Sequence, residues 1–195
     1  MFKSLPLTID KEEFQNNHIV AYTLEGQPIY WAEMLTRLDF WKSQLHNISQ
    51  IKVAVYHSDA VEFLCILLVL WSLKRIPVVP ANTLERTLKA VEEETDFFIG
   101  EFPECKTYNN INLAHEVLSS DKESCNPALI IFTSGSSGRP KAVYKTFKQL
   151  NSELNILESQ WGELLRDTLT LGTVSHHHMY GLQFRLLWPF VSNRP

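Results

Sequence analysis

Residues 51–79 read IKVAVYHSDAVEFLCILLVLWSLKRIPVV, and this stretch decides the fold class. Ile51 to Tyr56 is short, apolar and β-branched, the mark of a buried strand. Ser58 and Asp59 are the helix-cap candidates, and Glu62 stands in the first turn of the helix they would open. Val61 to Leu73 is apolar almost all round, so the helix is predicted to be buried. Ile76 to Val79 is a second strand, and Pro77 confines it to a sheet edge or makes it a strand start. Strand, helix, strand implies a right-handed crossover and a parallel sheet.

The same alternation continues outward. Thr83 to Glu94 is predicted as an amphipathic helix, Phe97 to Ile99 as a strand, and Leu129 to Phe132 (LIIF) as another buried strand. Thr133 to Lys141 is predicted as a loop, followed by a helix from Thr146 to about Trp161 with Leu150, Leu154 and Leu157 on one face. Leu169 to Val174 is predicted as a further strand, and Tyr180 to Phe190 as a helix ending near Pro189. Upstream, Tyr30 to Leu45 carries Trp31, Leu35, Leu38 and Trp41 at helical spacing. The expectation is an α/β chain, a three-layer sandwich on a mainly parallel sheet.

Whole-chain quantities set limits. The 195 residues are 45% hydrophobic and 21% charged, which fits one folded domain and excludes disorder. Net charge is −4, so neither nucleic acid nor an anionic membrane is expected as partner. Cys65, Cys105 and Cys125 form neither a disulfide framework nor a zinc set, and they suit a reducing cytoplasm. No secretory leader is visible at the start, and the longest charge-free apolar run, Phe63 to Leu73, is too short to span a bilayer. Glu85 to Glu104 is acid-rich and reads as a solvated face, whereas Asn126 to Ser152 holds no acid and carries Arg139, Lys141, Lys145 and Lys148.

That basic segment surrounds Thr133-Ser134-Gly135-Ser136-Ser137-Gly138-Arg139-Pro140-Lys141. Glycines let successive backbone N–H groups point into one concavity, hydroxyls add short donors, and Lys141 adds a mobile positive charge. Such a loop suits a polyphosphate, although a bare serine–glycine linker has the same composition. It is not a Walker A loop, because Pro140 stands where the second glycine belongs, and no GxGxxG occurs in the chain. A second segment is Ser175-His176-His177-His178-Met179-Tyr180-Gly181. On a strand His176 and His178 share a face, but no third metal ligand is evident, so no metal site is expected; a structural, hydrogen-bonded role is the other plain reading.

The nine-residue loop closely resembles the phosphate-binding loop of the adenylate-forming superfamily, the acyl- and aryl-CoA synthetases, peptide-synthetase adenylation domains and luciferases. Every position conforms. His178-Met179-Tyr180-Gly181 resembles that family's His-x-x-Gly motif, 40 residues after Gly138, with His177 in a place that is usually aromatic. Tyr30 to Leu35 resembles the family's "TYxEL" helix start, Val53 to Phe63 its "VAI…NSPEF" unit, and Ile76 to Asn82 its "GAVVVPLNP" strand, with a glycine missing. The wording of the His segment, with Arg185 and Trp188-Pro189, resembles acyl-CoA synthetase-like ligases of polyene-type acids.

The resemblance implies an AMP-forming ligase that joins a small carboxylic acid to ATP and passes the acyl group to CoA or a carrier-protein thiol. It implies that Thr133, Ser134, Gly135, Ser136, Ser137, Gly138 and Lys141 bind ATP phosphates. It further implies that His178 orients the carboxylate and that His177, Tyr180 and Gly181 line the acyl pocket. Residues 1–195 are then the N-terminal part of the large AMP-binding domain, with most magnesium ligands, the adenine and ribose segments and the lid lysine outside them. The expectation for the 195-residue chain alone is inactivity and self-association; the rival expectation is a non-catalytic nucleotide-binding or oligomerisation module on the same scaffold.

Overall fold

The structure is a computed structural model, and it describes residues 4–5, 15–95, 97–103, 127–134 and 139–195. A hairpin of β1 (Ile19–Tyr22) and β2 (Pro28–Tyr30) leads into helix α1 (Trp31–Leu45). Then follow β3 (Lys52–Tyr56), α2 (Ala60–Ser72), β4 (Ile76–Val79), α3 (Glu85–Glu92), β5 (Phe98–Gly100), β6 (Leu129–Ser134), β7 (Pro140–Lys145) and α4 (Phe147–Trp161). The chain closes with α5 (Met179–Gly181), a π-helical turn (Leu182–Leu187) and α6 (Trp188–Val191).

Five strands form the main sheet in the order β5-β3-β4-β6-β7. The first four are mutually parallel, and β7 runs antiparallel on β6. Side chains alternate across this sheet with period two. Val53, Val55, Val79, Leu129 and Ile131 face one apolar cluster shared with α1, α2, α4 and α6. Ala54, Val78, Phe98, Ile130 and Phe132 face a second cluster shared with Leu88 and Val91 of α3. Helices cover both faces, so the three-layer, mainly parallel α/β expectation holds.

Helix α2 is the central buried element, with every residue from Phe63 to Trp71 buried. Its first turn is capped by Asp59, whose Oδ1 accepts from the N–H groups of Val61 (2.8 Å) and Glu62 (2.9 Å). Its exit turns through Lys74 at φ 57°, a left-handed conformation natural to glycine. Trp71 Nε1 donates to the Ala128 carbonyl at 2.7 Å and ties α2 to the start of β6. Pro77 is the second residue of β4, a central strand, so of the two sequence options the strand start is the one adopted.

Two expectations are corrected. Leu169 to Val174 is not a strand: Leu171 is 87% exposed, and among the described residues no strand lies alongside to pair with it. A β-branched run becomes a strand only when a neighbour accepts its backbone hydrogen bonds. Thr133 to Lys141 is not loop throughout, because Thr133 and Ser134 extend β6 while Pro140 and Lys141 begin β7. The predicted final helix is present and ends at Val191, just past Pro189. It opens to π spacing just before that proline, with Trp188 N–H donating to Gln183 O, which accommodates the missing proline N–H and its ring.

Candidate active site

The parallel strands β3, β4, β5 and β6 all end at the same edge of the sheet, where open α/β folds gather ligands. The antiparallel β7 begins there. Its register pairs Lys141 with Thr133 and Pro140 with Ser134, so these residues lie on two paired strands at this edge. Thr133 Oγ1 donates to Lys141 O at 3.4 Å. Lys141 is exposed, as is Arg139. Gly135, Ser136, Ser137 and Gly138 lie outside the described residues. The described flanks carry the Thr133 hydroxyl and the exposed Arg139 and Lys141, and no Asp or Glu occurs among residues 126–152.

The histidine segment reaches the same edge from the other end of the chain. It is a turn rather than a strand, so strand alternation does not govern it: His176 and His177 are both buried, and His178 is exposed. The His177 ring stacks on Tyr56, the last residue of β3, with centroids 3.9 Å apart and planes 11° apart. Phe63 meets the same ring edge-on at 5.1 Å. The two peptide units that flank His57 hold the two buried rings. The His57 N–H donates to His177 Nε2 at 3.3 Å, and the His57 carbonyl accepts from His176 Nε2 at 2.8 Å.

These bonds assign the tautomers. His176 carries its proton on Nε2, and its Nδ1 is buried without a partner among the described residues. His177 must carry its proton on Nδ1, which donates to Ser175 Oγ at 3.0 Å. Burial lowers the pKa of both rings. That of His177 falls to about 3, with the neighbouring His176 and His178 adding to the shift. His177 is therefore a neutral, stacked ring at neutral pH and serves as a flat wall rather than a charge, which explains how histidine fills a position where the resemblance expects an aromatic residue.

His178 is the residue before α5, and its carbonyl accepts from Leu182 N–H at 2.8 Å. Gly181 is required by close approach: a Cβ there would lie 2.1 Å from the Ser175 carbonyl oxygen. Tyr180 is 60% exposed and stacks on Phe184, with centroids 4.4 Å apart. Among the described residues no group of three His, Cys, Asp or Glu side chains converges as a metal site.

Sequence reasoning missed Tyr56, His57, Ser58 and Glu101 as neighbours of the histidines. Glu101 belongs to the acid-rich run read as a solvated face. Its carboxylate instead accepts from Ser58 N–H (2.8 Å) and Ser58 Oγ (2.9 Å). Burial raises its pKa, but these hydrogen bonds outweigh that and hold the carboxyl below its usual range. No local sequence signal separates it from its acidic neighbours.

The chain belongs to the AMP-binding enzyme family, whose sequence profile matches residues 44–193. Among curated relatives, the probable CoA ligase CCL8 of Humulus lupulus is 39% identical over 67 residues, 34% of this chain and 11% of that protein. The mitochondrial malonate–CoA ligase ACSF3 of Xenopus laevis is 39% identical over 62 residues, 32% of this chain and 11% of that protein. Among solved structures, the o-succinylbenzoate coenzyme A synthetase (MenE) of Bacillus subtilis in complex with AMP superposes with a TM-score of 0.71. It shows 17% identity over 94% of this chain and 52% of that one. MatB of Rhodopseudomonas palustris gives 0.65 at 16% identity over 94% of this chain and 42% of that one. At these identities the likeness shows the fold, which matches the N-terminal subdomain of adenylate-forming enzymes. The chain spans about half the length of the MenE structure, and its aligned stretches cover 11% of each of the two curated ligases.

Proposed function

We propose that this chain forms the phosphate-binding and carboxylate-facing parts of an ATP-dependent carboxylate–CoA ligase. The observation that carries the reading is convergence at one sheet edge. The β6–β7 hairpin bearing Thr133, Ser134 and Lys141 and the turn bearing His177 and His178 both meet the carboxyl ends of the parallel strands. Membership of the AMP-binding family supports it, as does a neighbour, MenE, solved with ATP and a magnesium ion.

In this reading the carboxylate oxygen attacks the α-phosphorus of ATP, the bond to the β-phosphate oxygen breaks, and pyrophosphate leaves. A thiolate then attacks the acyl carbon and AMP departs. CoA is the favoured acceptor, in keeping with the CoA ligases among the relatives, and a carrier-protein thiol is the other. Thr133, Ser134 and Lys141, together with Gly135, Ser136, Ser137 and Gly138, hold the β- and γ-phosphates. The exposed His178 orients the carboxylate, and the His177–Tyr56 stack with Tyr180 and Gly181 shapes the acyl side. Such chemistry depends on positioning and charge stabilisation rather than on a protein nucleophile.

The test is Lys141→Ala in the ligase that contains this chain. A charge-assisted hydrogen bond to phosphate contributes ~1.5–3 kcal/mol, so ATP or pyrophosphate affinity falls about 10- to 150-fold by calorimetry. Unchanged affinity removes the phosphate role. His178→Ala, assayed with an acid panel that includes malonate, raises KM for the acid and lowers kcat with ATP binding nearly unchanged; an equal effect on both substrates removes the carboxylate role.

A further inference from the structure

We propose that Glu101 is a positioning residue for the His176–His178 turn, acting through Ser58 and the His57 carbonyl that holds His176. The role deepens the ligase reading above and rests on it for its catalytic consequence, but the structural coupling stands on its own contacts.

Glu101 is held firmly. Its N–H donates to the Tyr56 carbonyl at 2.7 Å. The preceding Gly100 has φ 105° and lies so close that a Cβ would stand 2.0 Å from the same oxygen, so the end of β5 is pinned to the end of β3. From that anchor the carboxylate takes both donors of Ser58. The His57 Nδ1 lies 3.8 Å from Glu101, but that nitrogen already accepts from Asp59 N–H at 3.1 Å. The Ser58 bonds, rather than an ion pair with His57, therefore carry the coupling.

Fixing Ser58 fixes the peptide on its N-terminal side. The two faces of His57's backbone clasp His177 and His176, and they impose opposite tautomers on adjacent rings. Without the Glu101 carboxylate, the Ser58 N–H at the mouth of α2 loses its acceptor, and the His57–Ser58 peptide, whose carbonyl accepts from His176 Nε2, is free to turn, while the Tyr56–His57 peptide stays pinned by the Glu101 N–H. His176 Nε2 then loses its acceptor, both tautomers of that ring become accessible, and the packing of His176 against His177 loosens.

Ring nitrogens of the 15N-labelled 195-residue chain report this directly. The expected spectrum has His177 as the Nδ1–H form and His176 as the Nε2–H form. Glu101→Ala moves His176 to an average of the two forms, and Glu101→Gln, which keeps an acceptor for Ser58, restores much of the original pattern. If Glu101→Ala fails to fold, Ser58→Ala removes one of the two bonds and shifts His176 in the same direction. A folded variant with unaltered tautomers overturns the proposal. In the ligase, Glu101→Ala raises KM for the acid about 10- to 100-fold, because small misplacements of positioning groups cost that much, and leaves KM for ATP unmoved. A loss of stability with no such split overturns it. A protein that activates no acid with ATP defeats the ligase reading, and the tautomer spectrum then still decides the positioning role.

Discussion

His177 illustrates how much one residue's surroundings govern. Its ring is 3% exposed, and burial brings its pKa to about 3. Below pH ~6.5 the unfolded chain binds a proton at this site that the folded chain refuses until about pH 3. The stability it contributes is therefore complete above pH ~6.5 and is lost as pH falls toward 3, at about 1.4 kcal/mol per unit. Urea titrations at pH 7 and pH 5 should differ by about 2 kcal/mol from this group. His177→Phe, which retains a ring to stack on Tyr56, should flatten that difference; an unchanged slope contradicts the assignment. At Gly181 the expectation is steric. Gly181→Ala must push the helix off the Ser175 carbonyl and should lower stability by about 1–3 kcal/mol, read from the denaturant midpoint.

At the scale of elements, α2 shows two ends managed differently. Asp59 caps the first turn, and Asp59→Ala should lower stability by about 0.5–2 kcal/mol. The last turn ends on Lys74 at φ 57°, with Arg75 N–H returning to Leu70 O at 2.8 Å. A left-handed conformation costs an L-residue about 1–2 kcal/mol, and glycine forfeits about 0.5–1 kcal/mol of chain entropy. Lys74→Gly should therefore raise stability by about 0.5–1 kcal/mol, measured as a higher melting midpoint. This turn immediately precedes the strand where the family resemblance found a glycine missing. The π-helical turn at Leu182–Leu187 is the counterpart at the other end of the chain: a proline sits inside a continuous helical segment because the turn before it widens.

For the whole molecule, α4 gathers both ends of the described chain. Asn151 pairs its amide with the Leu5 backbone, accepting at 2.7 Å and donating at 2.6 Å. Glu158 accepts from Arg194 at 2.8 Å through both carboxylate oxygens, from Trp188 Nε1 at 2.8 Å and from Ser192 Oγ at 2.9 Å. Burial opposes the charge on Glu158, but these donors outweigh it and hold its pKa below the ordinary range. Its contribution is present above that range and is lost as pH falls through the lowered value. Arg194 is 7% exposed, so Glu158→Ala leaves a buried guanidinium without its carboxylate and should cost about 3 kcal/mol in chemical denaturation. Glu158→Gln should cost less, since its amide oxygen still accepts.

Much of this architecture was legible in the residues themselves. The IKVAVY and LIIF runs, the all-round apolar α2 and the Leu150, Leu154, Leu157 stripe each encode a period and a burial that local chemistry enforces, and each took the form expected. The family resemblance was also carried by short strings, because close approach of backbone needs glycine wherever it occurs, as Gly181 shows. Other features are properties of pairs and had no local signature. Leu169 to Val174 has strand composition and no strand beside it among the described residues. Glu101 is one acid among several until β5 is pinned beside β3 and brings it to Ser58. The protonation of His177 was likewise invisible, since a histidine's charge is set by the low-dielectric stack around it and by a peptide 120 residues away in the chain. Periodicity and steric necessity are written along the chain, whereas hydrogen-bond partners and local dielectric exist only once distant segments have met.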